Sequence, residues 1–423
     1  MRDRVLPVRV SPPLRGLIVL GLVLVAAAAA WNEVQARRLR LEVERLRQGL
    51  RQAEADRERF AARVADERTK ADAERAALAA QVEELRQQEQ ALYGRISDAA
   101  SAESRALRAE LAATRERLAT LESERAAGER IVREFGPSVC LVQGAYGFQD
   151  EGGRPLRLRV DESGAPAKDA DGNPVADAGG SGPLYEVEYV GTGFLVDRSG
   201  LVLTNRHVAE PWWNDSDARS FAERGFTPRM TVLRAFFTRQ REPVALARVA
   251  VGTSADVALL RCDLRTRKLP ALPLDRGGRG AVTGQPVVVV GFPAGVEAIL
   301  AKTDAEVARS VVESAGTDTG RIVEALAARG LVRPSTTQGH VVDVTDSDVV
   351  FDAPTTQGGS GGPLLNRNGV VIGVTYAVLS RFAGNSFAVP IRQGLPLLAE
   401  ARKAARAPRP PAAAPTAPAR AGT

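Results

Sequence analysis

Residues 357–364 read "QGGSGGPL": one hydroxyl, Ser360, set between two glycine pairs and closed by Pro363. Gly and Pro are the usual punctuation of loops, so a plain turn is one reading. The other is a nucleophile whose neighbouring amides must approach a substrate carbonyl, which a backbone without Cβ atoms allows. The loop cannot choose between these alone. Its partners elsewhere in the chain can, and they decide the fold as well.

A serine hydroxyl is a poor nucleophile near neutral pH and needs a base, with an acid to orient that base. The chain holds two histidines. His340 lies in "TTQGHVVDV", alternating with valines, and reads as a structural or surface strand position. His207 lies in "GLVLTNRHVAE", where an apolar strand gives way to a turn or short helix; it is the candidate base, and a simple cap is its plainer reading. Asp256 opens the apolar run of "SADVALL". A carboxylate there is costly unless hydrogen-bonded, as an imidazole N–H would provide; a strand-initiating turn is its plainer reading. The chain order is therefore His207, Asp256, Ser360. "GGSGG" also satisfies G-x-S-x-G, the nucleophile elbow of α/β-hydrolases, but those place the histidine after the serine and none follows Ser360. That fold is excluded. "GGSGP" around Ser181 fails too, because it precedes His207 inside a low-complexity stretch.

The surrounding texture agrees with an all-β fold. From Gly136 onward, short apolar runs ("SVCLVQGAYGF", "GTGFLV", "GLVLTN", "PVVVVGF", "GVVIGVTYAV") alternate with turn signals, the pattern of a β-barrel or sandwich. With "LTNRHV", "DVALL", "GGSGGPL" and "GNSFAVP" in order, residues 136–402 resemble the chymotrypsin-like serine proteases, in their bacterial HtrA/Deg-type branch. The resemblance implies two six-stranded β-barrels with an active site between them. It implies His207 as general base and acid, Asp256 as its orienter, Ser360 as nucleophile, and the amides of Gly358 and Ser360 as the oxyanion hole. Pro354, Thr375 and Tyr376 fall at the substrate pocket, with Pro354 where trypsin relatives carry an Asp; a small or medium apolar side chain is the implied preference. Protein or peptide substrates are implied, and no metal or other cofactor is called for. A protease fold held silent as a scaffold or binding module is the alternative.

Other segments depart from that family. The chain has 423 residues and a formal charge of +6, spread without aromatic interleaving, which argues against nucleic-acid binding. "MRDRVLPVRVSPPLR" followed by "GLIVLGLVLVAAAAAW" makes 1–31 an export signal or membrane anchor, preferred uncleaved: about 16 helical residues span about 24 Å against a hydrocarbon core of ~30 Å. The expected location is a bacterial cell membrane, with the protease domain in the periplasm or extracytoplasmic space. Residues 32–133 contain no proline and repeat Leu39, Val43, Leu46, Leu50, Ala53, Phe60, Val64, Ala71, Leu78, Leu85 and Leu92 in a four-three pattern. After a phase slip near 96–103, read as a stutter, the spacing resumes at Leu107, Leu111, Leu118 and Leu121. A coiled-coil stalk that self-associates is expected, holding the protease part on the order of 100 Å from the membrane.

Residues 150–183 read as an exposed loop; Asp169, Asp171 and Asn173 do not fit a calcium loop because Gly172 breaks the template. Residues 296–333 read as a helical insertion, with Thr303 and Glu306 as a capping box and Gly330 as a C-cap. Residues 403–423 read as a disordered Pro/Ala-rich tail, with no PDZ domain after the barrel. Cys140 and Cys262 lie in apolar runs and are expected as buried thiols, a single disulfide remaining open.

Overall fold

The computed structural model describes residues 55, 58–70, 72–73, 75–95, 101–161, 167, 175–265, 267–316, 318–376 and 385–406. The anchor at 1–31, the stalk before 55, the Asp169–Asn173 stretch and the tail beyond Arg406 lie outside these residues. Among the described residues, no helix is long and apolar enough to cross a membrane. The chain forms two units, Met1–Asp56 with Pro155–Tyr185, and Arg57–Arg154 with Glu186–Thr423. In the smaller, two short antiparallel strands, Arg157–Leu158 and Ala176–Asp177, pair Arg157 with Asp177.

The larger unit is built on two closed six-stranded barrels. The first contains β1 (Val139–Gln149), β4 (Glu186–Leu195), β5 (Leu201–Thr204), β6 (Thr227–Phe237), β7 (Val244–Val251) and β8 (Ala258–Cys262), β2 and β3 being the short pair above. The second contains β9 (Pro286–Gly291), β10 (Ser335–Val344), β11 (Val349–Phe351), β12 (Pro363–Asn366), β13 (Val371–Tyr376) and β14 (Ser386–Pro390). Ladder pairs within both barrels are antiparallel, as hairpin-connected strands require.

The run "PVVVVG" shows why the strands close this way. Side chains alternate across a strand. Val287 and Val289 enter a cluster with Val341, Phe351, Leu364 and Ala388 inside the second barrel. Val288 and Val290 face a larger core with Leu141, Phe194, Leu203 and Leu259 of the first. Both faces of β9 are thus buried, so an unbroken apolar run is what its position demands. On β1, Val139 and Leu141 face the shared core, and Cys140 and Val142 the first barrel's interior. Both cysteines are free and buried, and burial pushes their thiols up, that of Cys262 to about 11.

Between β9 and β10 the chain forms three helices: α4 (Gly295–Ala301), α5 (Ala305–Ala315) and α6 (Thr319–Ala328). They add Val296, Ile299, Val311, Ile322 and Leu326 to the shared core. The cap of α5 corrects the sequence reading. Asp304, not Thr303, is the N-cap, its carboxylate accepting from the N–H groups of Glu306 and Val307. The Thr303 hydroxyl instead donates back to the Ile299 carbonyl at 2.8 Å, at the end of α4. After α6, Gly330 adopts φ +68°, the left-handed turn that ends a helix. A further helix, α7 (Leu395–Arg406), runs past residue 402, where the tail was expected to begin.

The stalk is where sequence and structure part. Residues 58–70 and 75–95 are helical, and α1 (Ser101–Phe135) follows. They do not continue one another. Glu89 meets Arg115 at 3.0 Å, Arg86 meets Glu122 at 3.6 Å, and Leu92 packs with Leu107 and Leu111. Rising numbers on one helix meet falling numbers on the other, so the two run antiparallel and the phase slip marks a reversal rather than a stutter. Phe60 then reaches the shared core beside Ile131 and Phe135. The described helices fold back onto the barrels, which rules out a single extended rod over 58–135. Exposed ion pairs of this kind contribute at most about 1 kcal/mol, whereas each buried leucine contributes about 1.5–3 kcal/mol. The leucines therefore hold the reversal. Leu107→Asp puts a carboxylate in that cluster and should open 75–95 to trypsin while the barrels stay resistant. Unchanged cleavage would mean that other contacts hold the helices.

Candidate active site

His207 lies on α2 (Arg206–Ala209), a single turn begun where β5 ends and followed by α3 (Ser216–Glu223). Asn205, fully buried, starts the turn and ties it down: its side-chain Nδ2 donates to the Asp256 carbonyl at 2.7 Å. The Asp256 carboxylate faces back with both oxygens engaged. Oδ1 accepts the His207 backbone N–H at 3.0 Å, and Oδ2 lies 2.7 Å from His207 Nδ1. A carboxylate at that distance places the imidazole proton on Nδ1, leaving the Nε2 lone pair to accept a proton. Arg206 fastens the same turn. Its guanidinium donates to the Gly252 carbonyl and to Glu210, each at 2.9 Å, and lies over the Trp213 ring. Three bonds thus join α2 to the 252–256 loop before β8, an arrangement that the "TNRHV" and "SADV" stretches do not reveal separately.

Ser360 sits on the loop before β12 and is 6% exposed. Gly358 and Gly361 have φ of +90° and +88°, conformations that side chains disfavour. Space forbids a side chain as well. A Cβ on Gly358 would fall 2.5 Å from the Phe292 carbonyl oxygen, and one on Gly361 would fall 2.0 Å from that of Thr192. The loop's own bonding uses the amides of Gly359, Gly361 and Gly362, which donate to the carbonyls of Thr356, Thr375 and Gly359.

The first barrel brings the histidine turn and this loop together at Gly191, on β4. A Cβ there would lie 2.8 Å from a Val208 methyl, next to His207, and 3.4 Å from the Ser360 carbonyl oxygen. Next in the chain, the Thr192 N–H donates to that same carbonyl at 2.7 Å. In the sequence, Gly191 and Thr192 open "GTGFLV", where a threonine between two glycines at a strand's buried end is the only local sign of this role.

His340 lies apart, exposed on β10, its backbone N–H donating to Asp352 at 2.5 Å. The pocket residues separate. Pro354 is exposed. Tyr376 is partly buried, donates its hydroxyl to Asp348 at 2.6 Å and has its phenol pushed up, first by burial and then by that carboxylate. Thr375 must be corrected. It is fully buried, and its hydroxyl donates to the carbonyls of Gly359 and Gly362. It braces the serine loop and has no free face for a ligand. Among the described residues, no group of three or more His, Cys, Asp or Glu side chains is placed to hold a metal ion.

Residues 191–374 match the family model described as a trypsin-like peptidase domain. HhoA of Synechocystis sp., a serine protease by name, is 27% identical over 203 residues, 48% of this chain and 40% of its own length. A protein of Pseudomonas putida named as a probable periplasmic serine endoprotease, DegP-like, is 29% identical over 211 residues, 49% of this chain and 33% of its own. The crystal structure of the serine endoprotease from Yersinia pestis aligns at 17% identity with a TM-score of 0.37, over 66% of this chain and 67% of that one. The chain thus spans about a third to two fifths of the length of the curated relatives it matches. Residues 191–374 therefore match a trypsin-like peptidase domain set within two closed six-stranded barrels, and about half of the chain is similar to proteins named as HhoA and DegP-like serine proteases.

Proposed function

We propose that the chain is an extracytoplasmic serine endopeptidase, hydrolysing protein substrates through an acyl-enzyme on Ser360. The observation that carries the reading is the 2.7 Å contact between Asp256 Oδ2 and His207 Nδ1, on a turn whose neighbour Val208 packs toward the strand that holds the Ser360 backbone. In this reading His207 Nε2 takes the Ser360 proton as the hydroxyl attacks the scissile carbonyl. The carbonyl oxygen gathers negative charge in the tetrahedral intermediate, and the amides of Gly358 and Ser360 are its donors. His207 then returns the proton to the leaving amine. Water, activated by the same imidazole, attacks the acyl carbonyl and releases Ser360.

The location reading rests on the basic-then-apolar residues 1–31 and on the DegP-like relative named as periplasmic. Residues 1–31 act as the membrane tether, the segment 32–133 precedes a protease domain at 136–402, and α7 carries the end of that domain on to Arg406. Self-association through the helices is part of the same reading; the exposed Leu78 and Tyr93 offer it an apolar surface. A second reading, a protease fold held silent, is favoured by one feature. A cavity of about 480 Å³ beside Gln357 is lined by Arg63 of the amino-terminal helix, and Arg63 pairs with Glu297 of α4 at 3.2 Å. Helix 58–70 therefore flanks the serine loop, where it could restrict access.

A fluorophosphonate probe applied to membranes from cells making the full chain separates the two. Labelling mapped to Ser360 in the membrane fraction is the expected result. Absence of label, even with excess peptide and with helix 58–70 removed in a folded variant, would favour the silent scaffold.

A further inference from the structure

Gly358 and Ser360 belong to a loop of the second barrel, yet the residue that holds their carbonyls comes from the first. Thr192 is fully buried on β4. Its backbone N–H donates to the Ser360 carbonyl at 2.7 Å, and its hydroxyl donates to the Gly358 carbonyl at 2.7 Å. The same hydroxyl accepts the Phe292 N–H at 3.1 Å, and the Thr192 carbonyl accepts the Thr204 hydroxyl at 2.7 Å. A threonine hydroxyl has one proton and two lone pairs. With the Phe292 N–H on a lone pair, its single proton is directed at Gly358.

That bond controls more than one carbonyl. The Gly358 carbonyl and the Gly359 N–H share a peptide plane, and both ends are held: one by Thr192, the other by the Thr356 carbonyl at 2.9 Å. Gly358 also backs directly onto the Phe292 carbonyl, where a Cβ would lie 2.5 Å away. Phe292 itself is held by Thr192. One hydroxyl therefore fixes both the plane that follows Gly358 and the residue on which Gly358 rests.

We infer that Thr192 is a positioning residue for the proposed reaction: its hydroxyl, reaching from the first barrel, sets the orientation of Gly358 and so the direction of the Gly358 amide. The inference rests on Ser360 as nucleophile and Gly358 as oxyanion donor. Valine has nearly threonine's shape without its proton or lone pairs. Thr192→Val keeps the backbone bond to Ser360 but leaves the Gly358 carbonyl and the Phe292 N–H unpartnered in a buried place. Such groups are costly to leave so, and the peptide gains by turning toward other partners.

The test compares wild type, Thr192→Val and Thr192→Ser in the full chain on one fluorogenic peptide, with the aldehyde of that peptide as a tetrahedral-adduct probe. Removal of an oxyanion donor typically lowers kcat by about 10²–10³. Thr192→Val should lose about 10² in kcat with KM within about twofold, and its aldehyde affinity should fall in the same proportion. Thr192→Ser should recover most of the rate. Amide hydrogen exchange over 355–362 reads the hold on the loop without any activity: it should quicken in Thr192→Val while β1 and β8 stay protected. Unchanged exchange over 355–362, or a kcat loss no larger than the loss of folded protein, overturns the inference. If Thr192→Val does not fold, Thr192→Cys, which retains a weak donor, takes its place under the same criteria. A wild type that neither hydrolyses peptide nor takes the probe overturns the protease reading alone, because exchange at the loop still reports on Thr192.

Discussion

Ser360→Ala is expected to lower kcat about 10⁶-fold, the scale seen when the nucleophile of such a constellation is removed. The substitution deletes one hydroxyl from a nearly buried position and leaves the backbone bonds of the loop in place. The Ser360 carbonyl keeps its Thr192 partner, and the neighbouring amides of Gly359 and Gly361 keep theirs. Thermal unfolding should therefore stay close to wild type, which separates lost chemistry from lost fold. A residual rate about 10³–10⁴ above the uncatalysed reaction should survive from substrate binding and oxyanion stabilisation. The measurements are single-turnover peptide hydrolysis and fluorophosphonate labelling. Equal labelling of the variant would remove Ser360 from the mechanism.

Asp256→Asn should cost about 10⁴ in kcat, with a cause that the geometry makes specific. Both carboxylate oxygens already accept N–H groups, one from the His207 backbone and one from its ring. An amide has one acceptor oxygen, so its NH₂ must face one of those donors. The backbone N–H cannot give up its proton, whereas the imidazole can move its own from Nδ1 to Nε2. The asparagine oxygen should therefore stay on the backbone and its NH₂ turn toward the ring. The imidazole then carries its proton on Nε2, the side needed to take the proton of Ser360. The variant should fold, keep KM within a few fold, and react slowly with fluorophosphonate. A rate within tenfold of wild type would show that Asp256 does not set the tautomer.

Several features of this protein could be read from residues alone. The order His207, Asp256, Ser360 excluded the α/β-hydrolase fold without any structure, because chain order is a property of the sequence. The strands of both barrels were visible because alternation is local: "PVVVVG" and "SVCLVQ" state which side chains share a face. The four glycines around Ser360 were legible as backbone permission, and the structure uses it at Gly358 and Gly361, whose φ near +90° costs other residues more. The nearby cap was less legible. Thr303 and Asp304 are both good cap residues, and the end of α4 decided between them by taking the Thr303 hydroxyl for the Ile299 carbonyl.

What only the tertiary structure decided is which distant group meets which. A four-three repeat specifies an apolar seam but not its partner. Leu92, Leu107 and Leu111 serve an antiparallel return within one chain as readily as a second copy. Thr375 sits where a pocket wall was expected, yet its hydroxyl braces Gly359 and Gly362. Thr192 lies far before Ser360 in the chain and holds its carbonyl from the other barrel. Periodicity, turn chemistry and motif order are set by neighbours a few residues apart, so the sequence determined the strands, the glycines and the candidate catalytic set. The cross-barrel bonds, the helix reversal and the buried pocket threonine depend on contacts between segments scores of residues apart. Only folding assigns those contacts, because a buried hydroxyl or leucine takes its role from whatever the chain packs against it.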